Sequence, residues 1–350
     1  MRSHQVLEYG KPLELVEAET PEPQGGEVLV RIAACGVCHS DLHLWEGHFD
    51  LGGGKRLDVT RGRTLPFTFG HEIVGQVVAV GPDARGVSEG DHRVVYPWIG
   101  CGDCPVCASG EEHLCPLSRA LGVGRAGGYA DHVLVPDAKY LFDFGTVPAP
   151  LAATYACSGI TAYSALRKTR DLVAGRPLLI IGAGGVGMAG LALAREVLDA
   201  SQVWVADIDP AKLEAARVAG ADHVVDSSSP DALKEMAAET GGGVAAAVDF
   251  VGAESSAAFG FDALARGGKL VIVGLFGGSF QAPLPFFPIK AVTVQGSYVG
   301  SPAEMADLMA LARAGRIPAI PVETRPMAEV TRTLEDLREG RIVGRVAVLP

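Results

Sequence analysis

The sequence has no long run of basic residues and no apolar stretch at its N-terminus. Its formal net charge is −11, and nucleic acids and anionic membranes are bound by clustered Lys and Arg, so we expect neither partner. The N-terminal residues MRSHQVLEYGKPLELVE lack the apolar core of a signal peptide, so we expect a cytoplasmic protein. The most apolar stretch, residues 178–194, is interrupted by glycines and fits a buried strand, turn and helix better than a membrane span. These absences favour chemistry on a small molecule.

Cysteine is scarce and odd in number, with 7 residues in a chain of 350. In a reducing compartment such a set, with a dense group between residues 101 and 115, indicates metal sites rather than a disulfide framework. The stretch CGVCHSDLH, residues 35–43, matches the C-x-x-C-H signature of haem attachment and also a dithiol redox motif. The pattern alone leaves haem attachment, disulfide chemistry and metal ligation open.

Two kinds of hydrophobic periodicity divide the chain. Up to about residue 150 apolar residues recur with a period of two, as in VLVRIAACG and EIVGQVVAVG, which predicts an irregular β domain. After residue 157 strands alternate with helices, from PLLIIG to KLVIVG, which is typical of a doubly wound parallel sheet of the α/β class. Helical stretches around 302–315 and 327–339 lead to a terminal strand, and we expect this last part to return to the first domain.

A glycine-rich turn, LLIIGAGGVG, follows a β pattern and opens a helix. In its G-x-G-x-x-G, Gly182 permits the tight turn, Gly184 lets the backbone approach a pyrophosphate, and Gly187 lets helix and strand pack closely. A glycine-rich turn without a ligand is the alternative. The next strand ends in Asp207, whose carboxylate would accept hydrogen bonds from ribose hydroxyls and repel a 2′-phosphate. Because residues 208–210 provide no arginine, the sequence predicts NAD rather than NADP.

The stretch CGDCPVCASGEEHLC has the spacing C-x₂-C-x₂-C-x₇-C. One folded loop with these short spacings can place Cys101, Cys104, Cys107 and Cys115 tetrahedrally around Zn²⁺, with no open position for a substrate. An iron–sulfur cluster is the main alternative, because similarly dense arrays hold clusters. We favour structural zinc, since nothing else in the sequence suggests electron transfer.

The remaining candidate ligands for a catalytic metal are Cys38, His71 in TFGHEIVG, and Cys157 in YACSGITAY. A catalytic zinc needs three protein ligands and an exchangeable fourth position. These residues are far apart in the sequence, and each taken alone has a simpler interpretation as a core cysteine, a hydrogen-bonded histidine or half of an inert pair. Spacing alone therefore does not identify a catalytic site.

Several motifs in one order give the chain a specific resemblance. G-V-C-H-S-D, G-H-E, the four-cysteine lobe, C-S-G-I-T, the glycine turn with Asp207 and the final G-R-V occur in this order over nearly the whole length. The sequence resembles the zinc-dependent medium-chain alcohol dehydrogenases, and most closely their archaeal and bacterial tetrameric NAD-dependent members. The resemblance implies a GroES-like catalytic domain at 1–157 and 299–350, with a structural-zinc lobe at about 98–118, and a Rossmann domain at 158–298.

The resemblance also implies roles for individual residues. It makes Cys38, His71 and Cys157 the catalytic-zinc ligands, with Glu72 as a transient ligand and Asp41 as the acceptor that fixes the His71 ring. It assigns proton transfer from the alcohol to Ser40 and then to His43, and it leaves Cys35 as a buried bystander. The cofactor contacts that it implies are His39, Thr161, Gly182, Gly184, Gly185, Val186, Gly187, Asp207, Lys212, Val251, Val273, Leu275, Tyr298 and Arg345.

The implied activity is reversible hydride transfer between a primary or secondary alcohol and NAD, with two zinc ions per chain. Apolar residues at Trp98, Leu275, Phe276 and Tyr298 favour medium-chain, cyclic or aromatic alcohols, and the loop at 49–65 has no assigned role. The resemblance implies a homo-oligomer, with a tetramer favoured over a dimer. Alternatives are a zinc polyol, sugar or other specialised hydroxy-compound dehydrogenase, and a non-catalytic dinucleotide-binding protein.

Overall fold

A computed structural model describes all residues from Met1 to Pro350. The chain forms two compact units, the first with residues 1–48, 58–160 and 300–350, and the second with residues 49–57 and 161–299. The domain boundaries inferred from the sequence stay predictions, and the structure differs from them in grouping 49–57 with the second unit. No helix combines the length and apolar character that a membrane crossing requires.

The first part of the chain is mainly β structure. Its strands are β1 Arg2–Gln5, β2 Glu14–Glu17, β3 Val28–Val37, β4 His48–Asp50, β5 Arg56–Asp58, β6 Glu72–Val80, β7 His92–Val95, β8 His132–Val135 and β9 Leu141–Phe142. Its helices are α1 His39–Glu46, α2 Pro105–Ala108 and α3 Ala149–Thr154, with 3₁₀ turns at Glu112–Leu114 and Ala138–Tyr140 and a π-helical turn at Tyr155–Gly159.

The middle of the chain alternates helices and strands as the hydrophobic pattern predicts. Its helices are α4 Ile160–Arg167, α5 Arg170–Val173, α6 Gly185–Val197, α7 Pro210–Val218, α8 Ala232–Thr240, α9 Glu254–Asp262 and α10 Phe286–Lys290. Its strands are β10 Leu178–Ile181, β11 Val203–Asp207, β12 His223–Asp226, β13 Val244–Asp249, β14 Leu264–Ile272 and β15 Thr293–Gly296. The C-terminal part adds α11 Pro302–Arg313, β16 Val322–Pro326, a 3₁₀ turn at Met327–Glu329, α12 Val330–Arg338 and β17 Arg345–Leu349.

The sheet of the first unit has seven strands in the order β16-β17-β3-β6-β7-β9, with β8 also paired to β3. Strand β3 lies between the antiparallel strands β17 and β6, with Val37 opposite Val346 and Gly36 opposite Glu72. The carboxyl end of β3 therefore lies beside the amino ends of both neighbours. This register brings Cys38, Glu72 and Arg345, which are distant in sequence, to one edge of the sheet.

The sheet of the second unit has six parallel strands in the order β12-β11-β10-β13-β14-β15. The order reverses between β10 and β13, which is where doubly wound sheets bind ligands at the carboxyl ends of their strands. The core against this sheet includes Leu179, Trp204, Phe261 and Leu270, each 4% exposed or less. Burial of each such side chain contributes roughly 1.5–3 kcal/mol relative to exposure. The α/β class and the doubly wound sheet predicted from the sequence are confirmed.

Candidate active site

Four potential metal ligands converge at the edge of the first unit's sheet. The ligand atoms of Cys38, His71, Glu72 and Cys157 lie within 4.8 Å of one another, and all four residues are buried. The two sulfur atoms are 3.9 Å apart, and two sulfurs held tetrahedrally at zinc distances would be about 3.8 Å apart. The Nε2 atom of His71 is buried and has no hydrogen-bond partner. Because such an atom is costly to bury, the group fits a bound zinc ion.

Cys38 is positioned by the end of β3 and the start of α1. Its backbone is extended at the N-cap of α1, and its N–H donates to Oδ2 of Asp41 at 3.0 Å. The hydrogen bond with Cys157 lowers the pKa of Cys38 well below its usual value, whereas burial opposes this shift. The same contact raises the pKa of Cys157. The pair therefore favours a thiolate at Cys38 even before a metal binds.

Cys157 lies in the π-helical turn that follows α3. Single π turns inside helical segments are rare and are often found at functional sites. The next residue, Ser158, directs its backbone N–H toward Oε1 of Glu72 at 3.4 Å and donates its hydroxyl to the carbonyl of Thr154 at 2.8 Å. One turn thus provides both a candidate sulfur ligand and a polar contact to the neighbouring acid.

Asp41 holds the ring of His71 in a fixed orientation. Its Oδ1 atom lies 3.0 Å from Nδ1 of His71 and accepts the N–H of Gly70 at 3.1 Å, and both Asp41 and His71 are fully buried. Burial lowers the pKa of His71, but the charge of Asp41 and its hydrogen bond outweigh burial and raise that pKa overall. With Nδ1 against Asp41, Nε2 lies within 4.8 Å of the sulfur atoms of Cys38 and Cys157, the arrangement that metal-binding histidines usually have.

Glu72 forms a buried ion pair with Arg345. Oε1 of Glu72 accepts a hydrogen bond from Nη2 of Arg345, and the two residues are 0% and 4% exposed. Burial raises the pKa of Glu72 to about 7, and the positive charge of Arg345 limits that rise. A side chain at Gly36 would collide with this carboxylate, so β3 must carry glycine there. The sequence did not indicate this pair, and the predicted contact of Arg345 with pyrophosphate stays a prediction.

The other predicted residues of this region occupy different surroundings. Cys35 is fully buried on β3 and is not part of the ligand group, as expected for a bystander. Trp98 is 4% exposed and donates its indole N–H to the carbonyl of Ala156 at 2.9 Å, and its ring lies 5.3 Å from that of His71 at a tilt of 59°. This contact with a predicted ligand could not be inferred from the sequence.

Three polar residues of α1 that the sequence assigned to proton transfer or cofactor binding differ in exposure. His39 is exposed, and Ser40 and His43 are half-buried. Burial lowers the pKa of His43, so its imidazole is neutral over a wider pH range than that of an exposed histidine. The proton-transfer roles of Ser40 and His43 and the cofactor contact of His39 stay predictions.

The four-cysteine lobe forms a second group of ligands. The Sγ atoms of Cys101, Cys104, Cys107 and Cys115 lie within 4.8 Å of one another. Backbone N–H groups point at the sulfurs, and the N–H of Cys107 lowers the pKa of Cys104 to about 7. Because N–H groups stabilise thiolates, and four thiolates leave no open position, the lobe fits a structural zinc.

Glu112 joins this lobe to the rest of the first unit. Its carboxylate accepts hydrogen bonds from Tyr140 Oη at 2.5 Å and from Lys139 Nζ at 2.8 Å, and Gly100 N–H lies 3.4 Å away. The side chain is almost fully buried. Sequence reasoning missed Glu112 because its partners lie on a separate 3₁₀ turn, and an acid in a polar loop normally faces solvent.

The glycine turn of the second unit has the geometry that its spacing predicts. Gly182 has φ +91°, which favours glycine, and a Cβ at Gly187 would collide with the carbonyl of Gly182. Helix α6 begins at Gly185, with Gly184 extended at its N-cap and Val186 in its first turn. Free N–H groups at such a helix start can bind a pyrophosphate.

Asp207 is tied to this turn by its carboxylate. Oδ2 accepts the N–H of Ala183 at 2.7 Å, and Oδ1 accepts the N–H groups of Ile208 and Asp209 at 2.8 and 3.0 Å. A carboxylate offers about four acceptor positions, and these three N–H groups leave about one of them for the ribose. The structure thus places the predicted acid beside the predicted phosphate turn.

The remaining predicted cofactor residues also lie in the second unit. Thr161 is buried, Lys212, Val251 and Val273 are half-buried, and Leu275 and Tyr298 are exposed, as is Phe276. The loop at 49–65 contains the two-stranded sheet β4-β5, and a Cβ at Gly52 would lie 3.0 Å from the backbone of Gly278. This backbone contact explains why residues 49–57 group with the second unit.

Comparisons with known proteins point to one family. Residues 24–145 match the model of the alcohol dehydrogenase GroES-like domain, and residues 185–314 match that of the zinc-binding dehydrogenases. The chain is 39% identical to an NAD-dependent alcohol dehydrogenase of Sulfurisphaera tokodaii and 38% identical to one of Saccharolobus solfataricus, with 100% of each chain covered. The crystal structure of the alcohol dehydrogenase from Aeropyrum pernix superposes with a TM-score of 0.89 at 32% identity, with 100% of both chains covered.

Proposed function

Because the chain belongs to the zinc-binding alcohol dehydrogenase family, we propose that it is an NAD-dependent zinc alcohol dehydrogenase. It transfers hydride reversibly between a primary or secondary alcohol and NAD, and the product of oxidation is an aldehyde or a ketone. The observation that carries this proposal is the buried convergence of Cys38, His71 and Cys157 around the unpartnered Nε2 of His71.

Two zinc ions per chain are part of the proposal. Cys38, His71 and Cys157 hold the first, with Glu72 as an additional carboxylate within reach, and the four-cysteine lobe holds the second. When bound, the first zinc acts as a Lewis acid that lowers the pKa of an alcohol oxygen, and NAD accepts the hydride. The lobe has no open ligand position, so its zinc is structural.

The protein's own side chains position the reacting groups and move the proton. Asp41 fixes the His71 ring, and Arg345 holds the Glu72 carboxylate at the edge of the ligand group. Ser40 takes the proton of the alcohol and at the same time gives up its own hydroxyl proton, which is relayed to His43 and on toward solvent. The lowered pKa of the half-buried His43, which follows from burial, supports a role as a neutral acceptor at physiological pH.

NAD is the proposed cofactor because of the second unit's glycine turn and Asp207. The turn binds the pyrophosphate at the start of α6, and Asp207 accepts hydrogen bonds from the adenosine ribose. The carboxylate would repel a 2′-phosphate. The predicted contacts of His39, Thr161, Lys212, Val251, Val273, Leu275, Tyr298 and Arg345 belong to the same proposal.

Medium-chain, cyclic or aromatic alcohols are the proposed substrates, which the proximity of the apolar Trp98 ring to His71, at 5.3 Å, supports. We also propose a homo-oligomer, with a tetramer favoured over a dimer. Leu284, Phe286 and Ile289 are exposed in the segment that precedes β15, the strand at one edge of the second unit's sheet, and exposed apolar groups and an edge strand both favour self-association. The two groups of free thiols support a cytoplasmic location, because they need reducing conditions.

The test combines metal analysis with NADH formation on a panel of alcohols that includes sorbitol and threonine. We expect about two zinc ions per chain and NADH formation with simple alcohols. About one zinc or none, or no alcohol-dependent NADH, would overturn the proposal, and preference for sorbitol would indicate a polyol dehydrogenase. Cys38→Ser should abolish turnover and remove one zinc, whereas Cys35→Ser, on the same strand end but outside the ligand group, should retain both.

A further inference from the structure

A fully buried carboxylate lies in the second unit, outside every site described above. Asp249 is the last residue of β13, is 0% exposed, and pairs in register with Ile181, the last residue of β10. It therefore lies at the point where the strand order of the sheet reverses. Burial raises its pKa, although three hydrogen bonds to its oxygens oppose that rise. Burying a charged carboxylate costs free energy, so we expect Asp249 to have a specific role in the structure.

The two oxygens of Asp249 organise the loop that follows β13. Oδ1 accepts the N–H groups of Val251 at 2.9 Å and Gly252 at 3.0 Å. Oδ2 accepts the hydroxyl of Ser256 at 2.9 Å, and Ser256 Oγ in turn accepts the N–H of Ala253 at 2.9 Å. One carboxylate, directly and through Ser256, thus fixes three consecutive backbone N–H groups. Hydrogen bonds to an ionised acceptor are about twice as strong as neutral ones.

The loop held by Asp249 packs against the glycine turn. A Cβ at Gly182 would lie 2.6 Å from Cγ2 of Val251, so the Val251 side chain fills the space that the missing side chain leaves. The N–H of Phe250 donates to the carbonyl of Ile181 at 2.9 Å, and the Phe250 ring would lie 2.8 Å from a Cβ at Gly190 of α6. The position of Val251 relative to the turn is therefore determined by tight contacts.

A second loop, residues 273–277, rests on the first. The N–H groups of Val273 and Gly274 donate to the backbone carbonyl of Asp249 at 2.9 and 3.1 Å. Further along, the N–H of Phe276 donates to Val251 and that of Gly277 to Gly252, each at 3.1 Å. The two loops thus form one hydrogen-bonded unit whose base is Asp249.

We propose that Asp249 is a positioning residue for NAD, because its carboxylate holds the two loops beside the glycine turn in the shape that binds the cofactor. This inference rests on the proposed NAD-dependent function. Asp249 is buried beneath the loops and acts through Val251 and Gly252, so it does not itself touch the cofactor. Loss of its charge would loosen both loops and leave the zinc groups of the first unit unchanged.

The test is Asp249→Asn in the zinc-loaded enzyme, with the dissociation constant of NADH measured by fluorescence titration. Replacing charge-assisted by neutral hydrogen bonds should weaken NADH binding roughly tenfold. We also expect a higher KM for NAD, with the KM for alcohol and the zinc content unchanged. Asp226→Asn is the matched control, because Asp226 ends β12, an edge strand of the same sheet, and accepts the N–H of Ser228 at 2.8 Å but is exposed.

The outcomes separate this inference from the proposed function. If the unaltered enzyme does not bind NADH, the proposed function fails. If it does, and Asp249→Asn binds NADH as tightly as Asp226→Asn, the positioning role is wrong. Equal changes in the KM for NAD and for alcohol would also overturn it. Should Asp249→Asn not fold, Ser256→Ala decides, because it removes the partner of Oδ2 and should weaken NADH binding severalfold.

Discussion

Nη2 of Arg345 donates a buried hydrogen bond to Oε1 of Glu72, 273 positions away in the sequence. The two residues meet because β17 and β6 flank β3 with both amino ends at the same edge of the sheet. Burial raises the pKa of Glu72 to about 7, so its charge at neutral pH depends on the arginine. The last strand of the chain therefore supplies the counter-charge for an acid of the candidate metal site.

Removal of Arg345 should destabilise the protein strongly. Arg345→Met leaves Glu72 buried without its partner, a change that typically costs about 3–5 kcal/mol in the free energy of unfolding. The double variant with Glu72→Gln should recover most of the loss. Unfolding by denaturant measures the free energy of unfolding of the single and the double variant. The exposed pair Arg217–Glu214 provides the control, and Arg217→Met should have no measurable effect. Equal losses for the two arginine variants would contradict this account of the buried pair.

Asp41→Asn should weaken metal binding at the candidate catalytic site. The carboxylate holds Nδ1–H of His71, and loss of such a partner usually costs 10–100-fold in metal affinity. Competition with a chromophoric chelator measures the affinity. Asp131→Asn is the matched control, because Asp131 lies 2.9 Å from Nδ1 of His132 in an Asp–His pair away from the ligands. Unchanged zinc affinity in Asp41→Asn would argue against this role.

Cys104→Ser should remove the structural zinc and leave the catalytic one. Zinc should fall from about two ions to about one per chain, and the melting temperature should fall because metal binding stabilises the lobe. Metal analysis and a thermal unfolding scan measure these changes. Iron in place of zinc in the unaltered protein would show that the lobe holds a cluster instead.

Asp207→Asn should weaken the preference for NAD over NADP. The substitution removes the charge that repels a 2′-phosphate, yet one amide oxygen can still accept the N–H of Ala183. Asp207→Ala loses that bond as well, so it should bind both cofactors poorly. The ratio of kcat/KM for the two cofactors measures the effect. Asp209→Asn, at the N-cap of α7, is the control, and a similar ratio in both Asn variants would contradict the role of Asp207.

His43 should make the protein less stable as pH falls. Burial places its folded-state pKa below the unfolded value near 6.5, so the unfolded chain binds more protons between these two values. The contribution of neutral His43 to the free energy of unfolding is complete above pH 6.5 and is lost as pH falls through the folded-state pKa. His43→Gln should therefore show a smaller loss of unfolding free energy between pH 7.5 and 5.5. Equal losses in the two proteins would show that His43 does not contribute.

Local sequence patterns predicted the second unit well, because its strands, helices and glycine turn are each determined by residues close together in the sequence. The alternation of strands and helices and the spacing of the glycines gave β10, α6 and the turn between them. The four-cysteine lobe was predictable for the same reason. By contrast, the candidate ligands Cys38, His71 and Cys157 come from separate elements, and only the family resemblance grouped them.

The features that the sequence did not predict are contacts between residues distant in sequence and one buried acid. No local pattern connects Arg345 to Glu72, because their proximity depends on the register of three strands. Asp249 ends a strand as exposed acids often do, and only its complete burial distinguishes it. The grouping of residues 49–57 with the second unit depends on a backbone contact between two glycine-rich loops, and glycine composition alone does not specify a partner.

The π-helical turn at Tyr155–Gly159 makes this segment sensitive to length. A π turn contains one residue more than an α turn, and each α-helical residue advances the side-chain direction by about 100°. Deletion of one residue here would restore regular winding and swing the Cys157 sulfur away from its fellow ligands, even if every remaining side chain were unchanged. Engineering of this enzyme can therefore vary the side chains around Cys157, but the number of residues in the turn must stay constant.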